Sequence, residues 1–403
     1  MTTPYMAGSP TEGHLLIIGA GLAGYHAARG ARENGHTGPI TILGDESLPA
    51  YDRPALSKAF LSGSVNIEDL ALDDPDHPLD VTWIGGSSAV ELSASPLGVH
   101  TADGTFHMAD NIIIVTGAQA SRLPFSGTRN PDVYVIRNVE DAMALRGCVA
   151  EGKKVTVVGG GFLALEAAST WVDRGAEVTV VAGETNPGTA RLGQPVGCAI
   201  RALHEERGVR FADPARASAV ETDDDTQVLR LADGTGIESD IVICAIGAAP
   251  STAWLRGSAL TLEPTTGAIL CDDTGFTGVP GVWAAGDCAQ WASQASGIRP
   301  IGHWQEAVEQ AGIVSAALTG VPPAPFQEPY FWSEQYHVKI QAAGRPAQAD
   351  QVQILDGTIE GGDLLLSYLK DGEEVGILGM NRLREVKRWR KLRQIKHRAA
   401  LAA

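Results

Sequence analysis

The sequence predicts an α/β protein with two Rossmann-like βαβ units and a smaller α+β region after them. Three observations carry this expectation. A glycine-rich turn lies between an apolar strand and a helix near residue 19, a second such turn follows near residue 159, and the pattern changes beyond a proline-rich stretch at 321–329.

His14–Ile18 is a short apolar run that reads as a buried strand. Gly19-Ala20-Gly21-Leu22-Ala23-Gly24 follows at once, then a helix over Tyr25–Glu33 and a second strand over Pro39–Leu43. Asn111–Val115 is a further buried strand that closes on Thr116-Gly117-Ala118. The same grammar then repeats. Lys154–Val158 reads as a strand, Gly159-Gly160-Gly161-Phe162-Leu163-Ala164 as the turn, Leu165–Arg174 as the helix and Glu177–Val181 as the next strand. Asp240–Ala245 with Ile246-Gly247-Ala248 matches Asn111–Val115 with Thr116-Gly117-Ala118.

Val282–Ala285 is another apolar run, closing on Gly286-Asp287, and a helix begins near Trp304. The stretch Val321–Pro329 reads as a linker. Beyond it Val338–Ala342, Val352–Leu355, Leu364–Leu369 and Val375–Leu378 read as short strands before a basic helix. The expected organisation is a discontinuous domain over 1–117 and 245–320, a second over 118–244 and a C-terminal α+β domain over 321–403.

A chain of 403 residues exceeds what one hydrophobic core supports. No stretch approaches the apolar length of a membrane span. The first thirteen residues lack a basic region followed by an apolar core, so no secretory signal is expected. The cysteines Cys148, Cys198, Cys244, Cys271 and Cys288 form no CxxC or CxxxxC pair, which argues against a metal site and a local redox disulfide. Scattered single cysteines fit a reducing cytosol, and a cytoplasmic location is expected.

The net charge is −17, unevenly spread. From Gly379 onward nine basic residues face one acid, Glu385, which leaves the rest of the chain near −25. An acidic body with a basic tail argues against general nucleic-acid binding and suits an acidic protein partner at one end. A solvated amphipathic helix is the plainer reading of the same tail.

A glycine-rich turn between strand and helix lets backbone N–H groups approach a pyrophosphate, and the helix N-terminus adds a favourable dipole. At Gly19–Gly24 the flanking strand and helix, with Asp45 and Glu46 after the second strand as candidates for a ribose hydroxyl, point to a bound dinucleotide. The second turn ends in Ala164, and Ala182 stands where an acid is expected, followed by Gly183 and Glu184. Either Glu184 reaches back to the ribose or the ribose is bound loosely, and no Arg or Lys is placed there for a 2′-phosphate, so NADH is favoured over NADPH. Two nucleotide sites of different character suggest a relay. A resident flavin takes two electrons as hydride from an exchanging nicotinamide and returns them singly. Hydride transfer requires no general base.

The chain resembles the FAD-dependent ferredoxin reductases that serve bacterial Rieske dioxygenases and class I cytochromes P450. The motifs occur in family order: the first turn, Tyr51-Asp52-Arg53-Pro54-Ala55-Leu56-Ser57-Lys58, Thr116-Gly117-Ala118, the second turn with Glu166, Ala285-Gly286-Asp287-Cys288-Ala289, Phe331-Trp332-Ser333-Glu334-Gln335-Tyr336, and Asn381-Arg382. The resemblance implies a glutathione-reductase-like flavoprotein fold with tightly bound, non-covalent FAD. It implies Gly19, Gly21, Leu22, Ala23 and Gly24 on the FAD pyrophosphate, Asp45 on the adenosine ribose and Val90 at the adenine end. Arg53, Lys58 and Arg137 would contact FAD, with Lys58 beside the flavin ring. Thr116, Gly117, Ala118 and Gly286 would line the FAD site, Asp287 would bind the ribityl chain, and Trp304 would begin a helix aimed at the flavin. Gly159, Gly161, Phe162 and Leu163 would hold NAD, Ile246 and Gly247 are further cofactor-binding candidates, and Glu166 would lie near the nicotinamide, paired with Lys58.

The implied activity is reduction of an iron–sulfur ferredoxin that feeds an oxygenase, with no metal of the reductase's own. Two features depart from the family pattern. In Arg299-Pro300-Ile301-Gly302-His303-Trp304 the usual acid is Gly302, and Ala182 replaces the ribose acid. A dithiol mechanism is excluded because Tyr51–Lys58 holds no cysteine. An NADH oxidase or quinone reductase of the same fold, and a non-catalytic FAD-binding interaction protein, are the alternatives.

Overall fold

The computed structural model describes residues 11–127, 132–148, 150–212, 214–223, 226–293, 297–298, 304–324, 327–359 and 362–401. The chain separates into two compact units, Met1–Asp52 with Ile67–Gln119 and Ala248–Phe326, and Arg53–Asn66 with Ala120–Gly247 and Gln327–Ala403.

The first unit is built on a five-stranded sheet in the order Val282–Ala284, Asn111–Ile114, Leu15–Ile18, Ile40–Leu43, Thr82–Ile84. Every pairing is parallel. The runs LLII, ITIL and NIII are buried along their whole length, as strands covered on both faces require. Helix Leu22–Glu33 packs on helix Trp304–Thr319, where small residues let the backbones approach and Ser315 Oγ donates to the Ala27 carbonyl at 2.8 Å. A three-stranded antiparallel sheet, Ala89–Ala94, Leu97–Thr101 and Phe106–Met108, is an addition that its short runs do not announce.

The second unit repeats the plan. Its parallel sheet runs Val133–Tyr134, Ile241–Cys244, Lys154–Val158, Glu177–Val181, Arg210–Ala212. Helix Phe162–Asp173 follows the second glycine turn. A five-stranded antiparallel sheet, in the order Tyr330–Gln335, Val338–Gly344, Glu373–Met380, Asp363–Lys370, Gln351–Thr358, is followed by helix Leu383–Leu401. These strands are longer than their apolar cores, because pairing continues through the polar flanks.

Both glycine-turn helices start earlier than the periodicity suggests, at Leu22 and Phe162 rather than Tyr25 and Leu165. The reason is local. Gly21 and Gly161 take extended N-cap geometry, so the helix begins inside the motif. Strand Tyr330–Gln335 is an element that the motif Phe331–Tyr336 did not reveal as a strand. No described helix is long and apolar enough to cross a membrane.

Candidate active site

The first glycine turn admits no side chain at its closest approaches. Gly19 has φ of +123°, and a Cβ there would collide with the Val115 carbonyl. A Cβ at Gly24 would collide with the Gly19 carbonyl. Helix Leu22–Glu33 has no side-chain cap at Gly21 and no acid in its first turn, so its leading N–H groups are available to an anion. After the second strand Asp45 is exposed, whereas Glu46 accepts the Tyr51 hydroxyl at 2.5 Å. The ribose candidate with the freer side chain is therefore Asp45.

Thr116, Gly117 and Gly286 follow the C-terminal ends of strands in the same parallel sheet. Thr116 Oγ1 donates to the Ser251 carbonyl at 2.9 Å, and Gly117 has φ of +68°. Gly286 N donates to Gln310 Oε1 at 2.7 Å, which ties the turn carrying Asp287 to helix Trp304–Thr319. Trp304 opens that helix, and its indole N–H donates to Asp52 Oδ1 at 3.1 Å. Ala118 begins a short strand, and Val90 lies exposed in strand Ala89–Ala94. Arg299–His303, with Gly302 and His303, lies outside the described residues.

In the second unit Gly159 has φ of +130°, and Gly161 has open space where a Cβ would stand. Helix Phe162–Asp173 also lacks a side-chain cap and a first-turn acid. Leu163 and Ile246 are exposed, and Gly247 has φ of +107°. Ala164 is buried at the position of Gly24, so this turn accommodates the methyl group that the first cannot. Ala182 is buried, and a Cβ at Gly160 would stand 3.2 Å from its methyl. Glu184 accepts the Ala190 N–H at 3.4 Å.

Lys58 and Glu166 are brought together in this unit. Lys58 Nζ lies 2.7 Å from Glu166 Oε2 and donates to the Pro54 carbonyl at 3.0 Å. Glu166 is only 4% exposed, and helix Phe162–Asp173 supplies it from its inner face. Ser57 Oγ donates to Oε2 at 2.7 Å, and Ser333 Oγ to Oε1 at 2.6 Å. Thr170 Oγ1 donates to the carbonyls of Ser57 and Glu166, both at 3.0 Å, which clamps the Arg53–Ser57 turn to the helix. Arg53 Nη1 donates to the Arg137 carbonyl at 2.8 Å, so these two candidates also meet. The Arg137 backbone is held in turn by Asp141 Oδ2, which accepts its N–H at 3.1 Å.

Sequence reasoning missed Ser57, Ser333 and Gln335. Ser333 and Gln335 alternate with exposed Trp332 and Glu334 along strand Tyr330–Gln335. That period of two was the available signal, but it does not say which phase faces inward. All five cysteines are free. Burial pushes the Cys288 thiol up to about 11 and Cys271 well above its usual value, so neither offers a thiolate.

The model of the pyridine nucleotide-disulphide oxidoreductases matches residues 13–311. The chain belongs to that family. Residues 330–403 match the family described as reductase C-terminal. Among curated proteins the chain is similar to rhodocoxin reductase of Rhodococcus erythropolis, 31% identical over 92% of this chain and 87% of that one. It is equally similar to the biphenyl dioxygenase system ferredoxin–NAD(+) reductase component of Paraburkholderia xenovorans, 31% identical over 92% and 90%. Among solved structures it resembles the reductase of a covalent putidaredoxin reductase–putidaredoxin complex, with a TM-score of 0.87 at 27% identity over 94% of this chain and 92% of that one. A member of this family without a redox dithiol is an oxidoreductase that must move electrons without a cysteine pair.

Proposed function

We propose that this chain is a FAD-dependent NADH:ferredoxin reductase whose electrons feed an oxygenase. The observation that carries the reading is the Lys58–Glu166 ion pair at 2.7 Å, in a chain with two dinucleotide turns and no redox dithiol. A bound flavin takes hydride from reduced nicotinamide and returns the electrons singly, the form in which an iron–sulfur cluster accepts them.

The residues present fit the dinucleotides. Gly19, Gly21, Leu22, Ala23 and Gly24 offer uncapped backbone N–H groups to the FAD pyrophosphate, and Asp45 takes the adenosine ribose. Glu46 steadies that loop through Tyr51. Val90 meets the adenine end, Thr116, Gly117, Ala118 and Gly286 line the site, Asp287 holds the ribityl chain, and Arg53 and Arg137 contact FAD. The helix opened by Trp304 would turn its positive end toward the flavin. Gly159, Gly161, Phe162 and Leu163 hold NADH, Glu184 serves its ribose, and Ile246 and Gly247 are further cofactor-binding residues. The absence of any cation from Ala182 to Gly188 supports NADH over NADPH.

Lys58 would place a positive charge beside a bound flavin and so favour the reduced ring. Glu166 fixes the Lys58 ammonium and offers a carboxylate to the nicotinamide carboxamide. On this reading 1–117 with 245–320 binds FAD, 118–244 binds NADH, and 321–403 faces the partner. The partner is an acidic iron–sulfur ferredoxin that docks partly on exposed Arg384, Lys387, Arg388 and Lys391. Five free thiols suit a cytoplasmic protein.

Anaerobic stopped-flow of the purified yellow protein tests the reading. Flavin bleaching is expected to be fast with NADH and slower with NADPH. No bleaching with either nucleotide would overturn it.

A further inference from the structure

Glu166 is the inner end of a buried hydrogen-bond chain. An ion-paired carboxylate only accepts, so Ser333 gives its proton to Oε1 at 2.6 Å. The Ser333 oxygen then accepts the Gln335 Nε2–H at 3.1 Å. That orients the amide, whose Oε1 faces His204 Nε2 at 2.9 Å, so Nε2 carries the imidazole proton. Nδ1 is bare and accepts the Tyr336 hydroxyl at 3.1 Å. Each assignment follows from the one before, and all four bonds run toward Glu166.

The setting makes this arrangement costly unless it is complete. Ser333, Gln335 and His204 are fully buried, and Tyr336 is 9% exposed. They thread an apolar cluster that includes Ile340, Leu366 and Met380. Unpaired polar groups there would each be penalised, whereas aligned bonds in a low-dielectric interior reinforce one another. Burial lowers the His204 pKa to about 4, with the Gln335 bond opposing and Arg207 adding to the shift. The imidazole is therefore neutral, and only one tautomer satisfies both neighbours.

The terminal torsion of a glutamate is soft. Backbone placement of Glu166 does not by itself fix how its oxygens are shared. Ser57 and Lys58 both contact Oε2, and Ser333 donates to Oε1.

We propose that Ser333, Gln335, His204 and Tyr336 are positioning residues for hydride transfer, a one-way hydrogen-bond chain that holds the Glu166 carboxylate in the orientation that serves Lys58. This rests on the reading of Lys58 and Glu166 as the pair at the flavin and nicotinamide.

The test uses the FAD-loaded protein and two readouts. The first is side-chain nitrogen NMR of the resting protein at about pH 7, where an unperturbed histidine is close to its own titration. His204 is expected as the neutral Nε2–H tautomer, and Tyr336→Phe, which removes one oxygen and keeps the ring, shifts the Nδ1 signal. The second is single-turnover flavin reduction over a range of NADH concentrations. Ser333→Ala is expected to lower the limiting rate about tenfold, the scale of one hydrogen bond to a charged group, with NADH affinity unchanged. Ser333→Thr restores the rate, and Ser333→Ala adds nothing in a Glu166→Gln background. An Nδ1–H tautomer or an imidazolium at His204 overturns the chain. So does a wild-type rate in Ser333→Ala when Glu166→Gln is slow, which leaves the Lys58–Glu166 reading standing. A wild-type rate in Glu166→Gln removes that reading and the chain together.

Discussion

Lys58 and Glu166 come from separate stretches of sequence and meet at 2.7 Å, with Lys58 on the rim of the Arg53–Ser57 turn and Glu166 inside helix Phe162–Asp173. The lysine side chain is 21% exposed and the glutamate 6%. The pair thus has one partner that a ligand can reach and one held by protein.

Glu166→Ala is expected to slow flavin reduction by NADH while FAD stays bound. Losing a charge-assisted contact of about 1.5–3 kcal/mol predicts a loss of roughly tenfold to hundredfold. Anaerobic stopped-flow measures it, and unchanged single-turnover reduction would take Glu166 out of the mechanism.

The two glycine turns should answer differently to one methyl group. Gly24→Ala forces a Cβ into the Gly19 carbonyl, so the purified protein is expected to lack its flavin absorbance. Ala164→Gly only weakens a helix, by about 1 kcal/mol, and should keep NADH turnover. Full flavin content in Gly24→Ala would contradict the packing argument.

The exposed bases of the last helix are expected to serve the protein partner alone. Reversing Arg384, Lys387, Arg388 and Lys391 to Glu should raise KM for an acidic ferredoxin, and in the wild type that KM should rise with salt. Ferricyanide reduction should be unaffected. Arg390 and Arg393 are poorer choices, since Arg390 lies 4.1 Å over the Tyr330 ring and Arg393 reaches Glu328 at 3.7 Å. An equal response of both acceptors would refute docking through this helix.

His204 should make the fold sensitive to acid. Its pKa falls from 6.5 to about 4 on folding, so below 6.5 the unfolded chain binds a proton that the folded one does not. The contribution is whole above 6.5 and is lost progressively as pH falls toward 4, for a total of about 3 kcal/mol. Thermal unfolding across that range should be less acid-sensitive in His204→Gln. Parallel curves for the two proteins would place the acid sensitivity elsewhere.

Much of this architecture is legible in the chain. LLII and IVIC are continuous apolar runs, and NIII and KVTVV nearly so, as strands covered on both faces are. The short sheet over Ala89–Met108 is hidden because its residues are half exposed and carry no clean period. Helix Gln194–Glu205 escapes for a different reason, since glycines and a proline at its start mask a genuine apolar face.

The sequence by itself determined the two dinucleotide turns and the lack of a redox dithiol, because each depends on residue type and short spacing, and its resemblance to the ferredoxin reductases named Lys58 and Glu166 as candidates. Only the tertiary structure decided how Glu166 is held. Ser57 and Ser333 bond it from a turn and a strand, and Gln335 and His204 continue from Ser333 into a helix that folding brings alongside. Hydrogen bonds of 2.6–3.1 Å between such elements have no counterpart in local sequence, since the backbone must first place the atoms before the donors and acceptors can be matched.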